Sequence, residues 1–367
     1  MDILIVHPYM SIFGGGERVC FHILKALVEE GHNVTLVSEP INDEKFKKFI
    51  GFDLPSEVNY VFIKKFEPKI LKFMVYQRRL HYLLSKRKLK LGNFDVEILT
   101  QDITLTLNAG KRIIAYVHFP NYLAHLETPR GTKAFWKLYY APIEWYLDCL
   151  KNKALEKDEL LCNSNFTRRH IMERWKVDAK VLYPPVEVHK FKPGKKEDTV
   201  ISVGRFVPSK NYEIVLGVAR RMPDVKFKII GIKQDIKYFE KLKRNKPSNV
   251  NLLPNVEHEK VIEHLSRAKV YLHTMINEHF GISIVEAMAS GCIPVVHDSG
   301  GAVEAIGKFG YKYRTIDECA SCIRAALATK VDINKLVNWA SKFSSESFRS
   351  EFKDFFNNFT EKLKTRK

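Results

Sequence analysis

No stretch of this 367-residue sequence approaches the roughly 18 to 20 consecutive apolar residues that a bilayer-spanning helix needs, so no segment reads as integral to a membrane. The start, Met1-Asp2-Ile3-Leu4-Ile5-Val6-His7-Pro8, has an acidic second residue and a short aliphatic run, so it does not read as a secretory signal and is expected to form a buried first strand. Neither a GxGxxG fingerprint nor a GK[ST] loop ending is present, which removes the usual dinucleotide and P-loop assignments. There is no Asp-x-Asp pair, no internal repeat and no low-complexity tract. The six cysteines are scattered, and Cys319-Ala-Ser-Cys322 lacks the second pair or histidines of a zinc site. Most read as buried thiols in a reducing compartment, and no metal is expected.

What is present is a folded composition, 45% hydrophobic and 28% charged, on a chain long enough for two domains. Short aliphatic runs alternate with amphipathic stretches, which predicts α/β units with parallel sheets. In the first half the runs are Ile3–Val6, Asn33–Val37, Val58–Ile63, Val96–Leu99, Ile113–His118 and Glu159–Cys162, with a helix from about Glu17 to Glu30. Around Tyr183–Lys196 the chain turns rich in Pro and Lys, which marks a linker. A second series follows with Thr199–Val203, Phe227–Ile230, Val250–Leu253, Val270–His273 and Ile293–His297. The expected division is residues 1–190, residues 191–345, and a C-terminal helix over 346–367. That helix carries Phe348, Phe352, Phe355, Phe356 and Phe359 at spacings of threes and fours, and is expected to pack back towards the first domain.

Three motifs fall where strands end and helices begin. In Phe13-Gly14-Gly15-Gly16-Glu17-Arg18 the glycines allow close backbone approach and the helix start favours an anion; a phosphate site and a structural tight turn are both open for Gly15 and Gly16. Ser202-Val203-Gly204-Arg205 and Lys210 put two cations on one loop, which suits a diphosphate, or else a solvated surface. Glu278-His279-Phe280-Gly281-Ile282-Ser283-Ile284-Val285-Glu286 places one acid before a helix and another about a turn inside it, in apolar company. An unpaired carboxylate there is costly, so Glu286 is expected to accept hydrogen bonds from paired hydroxyls such as those of a ribose, or to serve as a cap or buried ion pair.

The Glu-x7-Glu spacing with Phe280-Gly281 after the first acid resembles family 4 of the retaining glycosyltransferases, and the Gly-rich loop, Val203-Gly204-Arg205, Lys210 and Ser299-Gly300-Gly301 occur in that family's order. Leu272–Gly281, Val296–Gly301, Tyr116–Pro120, Cys162–Thr167 and Leu182–Pro185 further resemble the GDP-mannose-dependent α-1,2-mannosyltransferases of dolichol-linked N-glycan assembly. The resemblance implies the GT-B fold, two Rossmann-like doubly wound parallel-sheet domains facing a cleft. It implies that Glu286 binds the donor ribose, Glu278 the hydroxyls of the transferred sugar, and Arg205 and Lys210 the diphosphate, joined by the amides of Phe280, Gly281 and Ile282. Gly15 and Gly16 would also meet the donor. His118 resembles the family histidine facing the transferred sugar, and Asn163 is a candidate sugar or acceptor contact. The implied chemistry is metal-independent transfer from a nucleotide sugar, GDP-mannose by resemblance, to a lipid-linked glycan. A UDP-sugar donor stays open, because the residues alone do not distinguish the bases.

Net charge is +18, and Lys64–Leu91 alone holds ten basic residues against the single acid Glu67. Lys72, Arg79 and Lys86 recur every seven residues, and with Arg87 and Lys88 they suggest a basic helix face resting on anionic lipid, hence a cytoplasmic protein peripheral on the cytoplasmic face of a membrane. A pI near 9.4 raises nucleic-acid binding as the alternative class, but no reading motif accompanies it and no nucleic-acid partner is expected. Oligomeric state has no signature in the sequence.

Overall fold

The structure is a computed structural model that describes residues 1–10, 14–50, 52–67, 74–120, 158–330 and 332–365, with 138–139, 141–142, 145–146 and 149. Phe13 and Lys72 of the sequence motifs lie outside these residues. The chain forms two compact units, Met1–Pro184 with Phe348–Lys367, and Pro185–Ser347.

In the first unit, β1 (Asp2–Val6), β2 (Asn33–Ser38), β3 (Asn59–Phe62), β4 (Phe94–Leu99), β5 (Gly110–Val117), β6 (Asp158–Cys162) and β7 (Lys180–Val181) pair in parallel, in the order β3-β2-β1-β4-β5-β6-β7. Because side chains alternate along a strand, each aliphatic run feeds both faces of the sheet. Ile3, Ile5, Val96, Ile98, Ile114 and Tyr116 point to one core, Leu4, Val6, Leu99, Ile113, Ala115 and Val117 to the other. The first core is covered by helix Gly15–Glu29 and by Phe348, Phe352, Phe355, Phe356 and Phe359 of the final helix Ser345–Thr365. The second includes Tyr82 of helix Met74–Lys86 and Ile171 and Trp175 of helix Asn165–Trp175.

In the second unit, β8 (Glu197–Val203), β9 (Lys226–Gly231), β10 (Val250–Pro254), β11 (Ala268–His273), β12 (Ile293–His297) and β13 (Tyr311–Tyr313) form a parallel sheet in the order β10-β9-β8-β11-β12-β13. Each sheet reverses its strand order at one place, between β1 and β4 in the first and between β8 and β11 in the second. In open α/β sheets the crevice outside the strands' C-terminal ends at such a point is where ligands bind.

The units divide at Pro184–Pro185, ahead of the position expected from the Pro- and Lys-rich stretch. The physical reason is pairing: the buried Val186 donates its N–H to Phe343 O at 2.9 Å and accepts from Ser345 N at 3.1 Å, which ties 185–190 into the second unit. No helix among the described residues is long and apolar enough to cross a membrane.

The phenylalanine seam makes a direct prediction. Phe352 is fully buried, so Phe352→Ala should cost the first unit about 3–5 kcal/mol. Urea denaturation followed by probes in each unit checks this, with the second unit's transition expected to stay in place.

Candidate active site

In the second unit three neighbouring strands, β8, β11 and β12, release loops at their C-terminal ends. After β8 the chain passes Gly204 and Arg205 to a 3-10 turn at Pro208–Lys210, then enters helix Tyr212–Arg221. Gly231, at the end of β9, lets the 204–205 backbone cross closely over it, since a Cβ at 231 would collide with the Gly204 carbonyl. Arg205 extends to the exposed Gln234, with Nη1 donating to Oε1 at 3.1 Å. Thr274 fixes the turn by donating its hydroxyl to Lys210 O at 2.6 Å.

The Lys210 ammonium lies 2.8 Å from Glu278 Oε2. The same oxygen is 3.2 Å from Nε2 of His273, the last residue of β11, while Glu278 Oε1 accepts the His279 N–H at 3.1 Å. The Glu278 backbone is held as well, with its carbonyl accepting Gly301 N–H at 2.6 Å. Gly300 adopts φ +72°, and a Cβ there would strike the Glu278 backbone, so the Ser299-Gly300-Gly301 turn fits only with glycine at that point. Ser299 completes the bracket by accepting the Asn277 N–H at 2.9 Å.

Burial alone would raise the Glu278 carboxyl, but the Lys210 charge and His273 outweigh it and hold the group well below the usual carboxylate range. His273 moves the other way, lowered chiefly by burial, with Glu278 opposing and Lys210 adding to the effect. Helix Ile282–Ala289 starts directly after Gly281, so its first amides face the loop. Phe280 turns its ring into the core against Phe343, at 5.2 Å between centroids, which leaves its backbone on the loop side. Glu286 is buried on the same helix. Tyr271 donates to Ser283 Oγ at 2.8 Å, and burial raises its phenol with the charges of Glu286 and Glu278 adding to the shift.

The first unit carries its own polar cluster at its own switch point. His118, just past β5, pairs through Nε2 with Thr100 O at 2.9 Å, and a Cβ added at Gly16 would come within 3.3 Å of that nitrogen. Asn163 donates Nδ2–H to His118 O at 2.8 Å, so it positions the histidine's backbone. Gly14 N–H donates to Glu17 Oε2 at 2.7 Å, and Glu17 Oε1 is 3.7 Å from His7 Nε2, whose Nδ1 pairs with Thr100 Oγ1 at 2.8 Å. Sequence reasoning missed His7, Thr100 and His273. A histidine inside or just after an aliphatic run looks like a strand terminus, and no periodic pattern signals that Glu17 returns to His7 or Glu278 to His273.

The basic segment needs a correction. Arg79 donates to Thr104 O at 2.9 Å and Lys86 to Thr106 O at 2.8 Å, so both are turned onto carbonyls of the chain beside β4 rather than outward as a free stripe. Arg87 and Lys88 are exposed, and so are Leu80 and Leu84. A groove of about 810 Å³ runs beside them, lined in part by Phe62, Lys64, Lys65, Leu80, Leu84 and Lys88.

Two parallel-sheet Rossmann-like domains with paired cations, acids and helix-start amides at a switch point define a GT-B glycosyltransferase. Residues 13–190 match the Glycosyltransferase Family 4 model and residues 186–334 the Glycosyl transferases group 1 model, and the chain belongs to that family of glycosyltransferases. Among curated proteins it is similar to a GDP-Man:Man(3)GlcNAc(2)-PP-Dol alpha-1,2-mannosyltransferase of Mus musculus, 26% identical over 82% of this chain and 73% of that protein. The protein of the same name from Dictyostelium discoideum is 26% identical over 96% of this chain and 83% of its own length. Among solved structures, sucrose-phosphate synthase from Thermosynechococcus elongatus matches with a TM-score of 0.72 at 13% identity, over 98% of this chain and 99% of that one. Anabaena Alr3699/HepE in complex with UDP and glucose matches with 0.70 at 14% identity, over 97% and 99%.

The His7–Glu17 pair makes a pH prediction. Burial penalises the His7 cation, yet Cys20 and Glu17 beside it take its pKa up to about 9. A raised folded pKa gives stability that is full below the unfolded value near 6.5 and is lost as pH rises through 9. Glu17, lowered by His7 and the Gly14 amide against the effect of burial, loses its share only on acidification. The first unit should therefore weaken by on the order of 2 kcal/mol between pH 6.5 and 9, and His7→Gln should flatten that slope. Chemical denaturation across the pH series checks it, and equal slopes in both proteins contradict it.

Proposed function

We propose that this glycosyltransferase moves mannose from GDP-mannose to a lipid-linked glycan with net retention of configuration. What carries the donor and acceptor is the similarity, along 82% and 96% of the chain, to proteins named for that reaction. What supports the chemistry is the Lys210–Glu278 pair beside the start of helix Ile282–Ala289.

In this reading Glu286 accepts the ribose hydroxyls and Glu278 those of the transferred sugar. Lys210, Arg205 and the amides of Phe280, Gly281 and Ile282 hold the diphosphate. As the bond from the anomeric carbon to the diphosphate oxygen breaks, negative charge gathers on the leaving group, where fixed cations and oriented amides stabilise it. The acceptor hydroxyl attacks from the face the diphosphate leaves and passes its proton to the departing phosphate. The charge is carried by side chains and amides, so no metal enters the scheme. Gly15, Gly16 and His118 are assigned to donor phosphate and sugar, and Asn163 supports His118 through its backbone. The exposed Arg87 and Lys88, with Leu80, Leu84 and the adjoining groove, are assigned to the anionic, cytoplasmic face of a membrane, where the lipid-linked acceptor resides.

Titration calorimetry of GDP, UDP, GDP-mannose and UDP-glucose tests the donor. Guanine-selective binding is expected. Glu286→Ala, by removing hydrogen bonds to a charged group, should cost about 1.5–3 kcal/mol, roughly 10- to 150-fold in affinity. UDP selectivity would overturn GDP-mannose as donor, and binding to none would overturn the site. For the membrane, Arg87→Glu with Lys88→Glu should weaken sedimentation with anionic vesicles by at least about 2 kcal/mol while sparing nucleotide binding. Unchanged sedimentation rejects that face.

A further inference from the structure

Glu278 Oε2 is shared by two nitrogens of different character, a lysine ammonium at 2.8 Å and an imidazole Nε2 at 3.2 Å. The lysine contact is a well-formed hydrogen bond; the imidazole nitrogen is buried and close, but without hydrogen-bond alignment to any partner. The Glu278 carboxylate is therefore balanced by one firm cation, with a second, titratable group held in reserve. Lys210 is also a ligand assigned to the donor diphosphate, so the inference rests on the donor-site reading above. When a diphosphate reaches Lys210, a single ammonium faces two anions in a poorly hydrated site, and the carboxylate loses much of its compensation.

We infer that His273 supplies the missing charge: donor binding is accompanied by uptake of a proton on His273, which then closes onto Glu278 Oε2 and keeps that carboxylate oriented towards the sugar. His273 is thus a positioning residue, acting through Glu278. The charged groups that bear on it are Glu278, from the loop after β11, and Lys210, from the loop after β8. Its other titratable neighbours are phenols. Tyr271 stacks on it from the same strand at 6.3 Å between centroids, Tyr313 donates from β13 to its backbone carbonyl at 3.0 Å, and Tyr212 of helix Tyr212–Arg221 lies under the charge of Glu278. Burial raises all three phenols well above neutrality, so they stay neutral throughout. In the free protein His273 is lowered by burial first, with Lys210 contributing and Glu278 opposing. Anion binding at Lys210 offsets the lysine's contribution and leaves Glu278's, so donor binding shifts the histidine towards its protonated form and the uptake grows as the pH falls.

The test is calorimetry of GDP-mannose binding to the full chain between pH 5.5 and 7.5 in two buffers of different ionisation enthalpy. GDP-mannose is chosen because its diphosphate diester has no group titrating in that window; UDP-glucose is run in parallel. The expected result is net proton uptake on donor binding that increases as the pH is lowered from 7.5 to 5.5. His273→Gln keeps an N–H for Glu278 but cannot titrate, so uptake should vanish while affinity changes by less than tenfold. Donor binding without uptake, or uptake undiminished in His273→Gln, overturns the inference. Failure of the wild type to bind either nucleotide sugar overturns the donor-site reading instead, and the inference with it. If His273→Gln does not fold, the wild-type series decides: uptake that does not follow one group with a histidine-range midpoint overturns the inference.

Discussion

The second unit is arranged around a carboxylate that water barely reaches. The Glu278 side chain is 14% exposed, and an ion so placed costs several kcal/mol unless it is paired and its remaining lone pairs are filled. Lys210 and the His279 amide meet that demand at the carboxylate, the His273 imidazole stands close to it, and Gly301 holds the backbone carbonyl. These groups come from the loop after β8, the end of β11, Glu278's own loop and the turn after β12. Meeting the needs of one buried charge therefore fixes three loops against one another at the switch point of the sheet. The glycines at 231 and 300 follow from the same constraint, since both sit where one backbone must pass close to another.

The first unit solves a parallel problem differently. Its buried acid, Glu17, reaches back to cap Gly14 at the start of the first helix and is balanced by a histidine rather than a lysine. Thr100 links His7 through its hydroxyl and His118 through its carbonyl, so the ends of β1, β4 and β5 share one hydrogen-bonded unit, to which the Glu17–His7 ion contact adds the Gly-rich loop. A neutralisable partner is tolerable there because the carboxylate serves the local backbone. In the second unit the carboxylate is proposed to face a ligand of high charge, and the partner beside it is a permanent cation, Lys210.

Much of the fold was legible because parallel strands buried on both faces must be short and aliphatic, and Ile3–Val6, Val96–Leu99 and Val270–His273 announce themselves that way. The phenylalanines from Phe348 to Phe359 were equally plain, since a helix with five rings on one stripe has to bury them. The two- and three-residue strands β7 and β13 were not, being too short to carry a period. At the site, the spacing of Glu278 and Glu286 was readable, whereas His273 was hidden inside a strand-like run and its meaning depends on the carboxylate beside it. The seven-residue recurrence of Arg79 and Lys86 located a helix face but gave no sign of direction. Periodicity cannot report that backbone carbonyls at Thr104 and Thr106 await those cations, and so the exposed residues here are Leu80 and Leu84 with the expected Arg87 and Lys88, not Arg79 and Lys86.

The central claim is that the Glu278 carboxylate serves the transferred sugar in a mannosyltransferase. Its most direct test is transfer from radiolabelled GDP-mannose to a lipid-linked trimannosyl glycan by the wild type and by Glu278→Gln, which keeps the shape and removes the charge. The account predicts α-linked product from the wild type, and in the variant a loss of transfer of at least about a hundredfold with nucleotide affinity and thermal stability nearly preserved. A Glu278→Gln enzyme that transfers mannose as well as the wild type would contradict it.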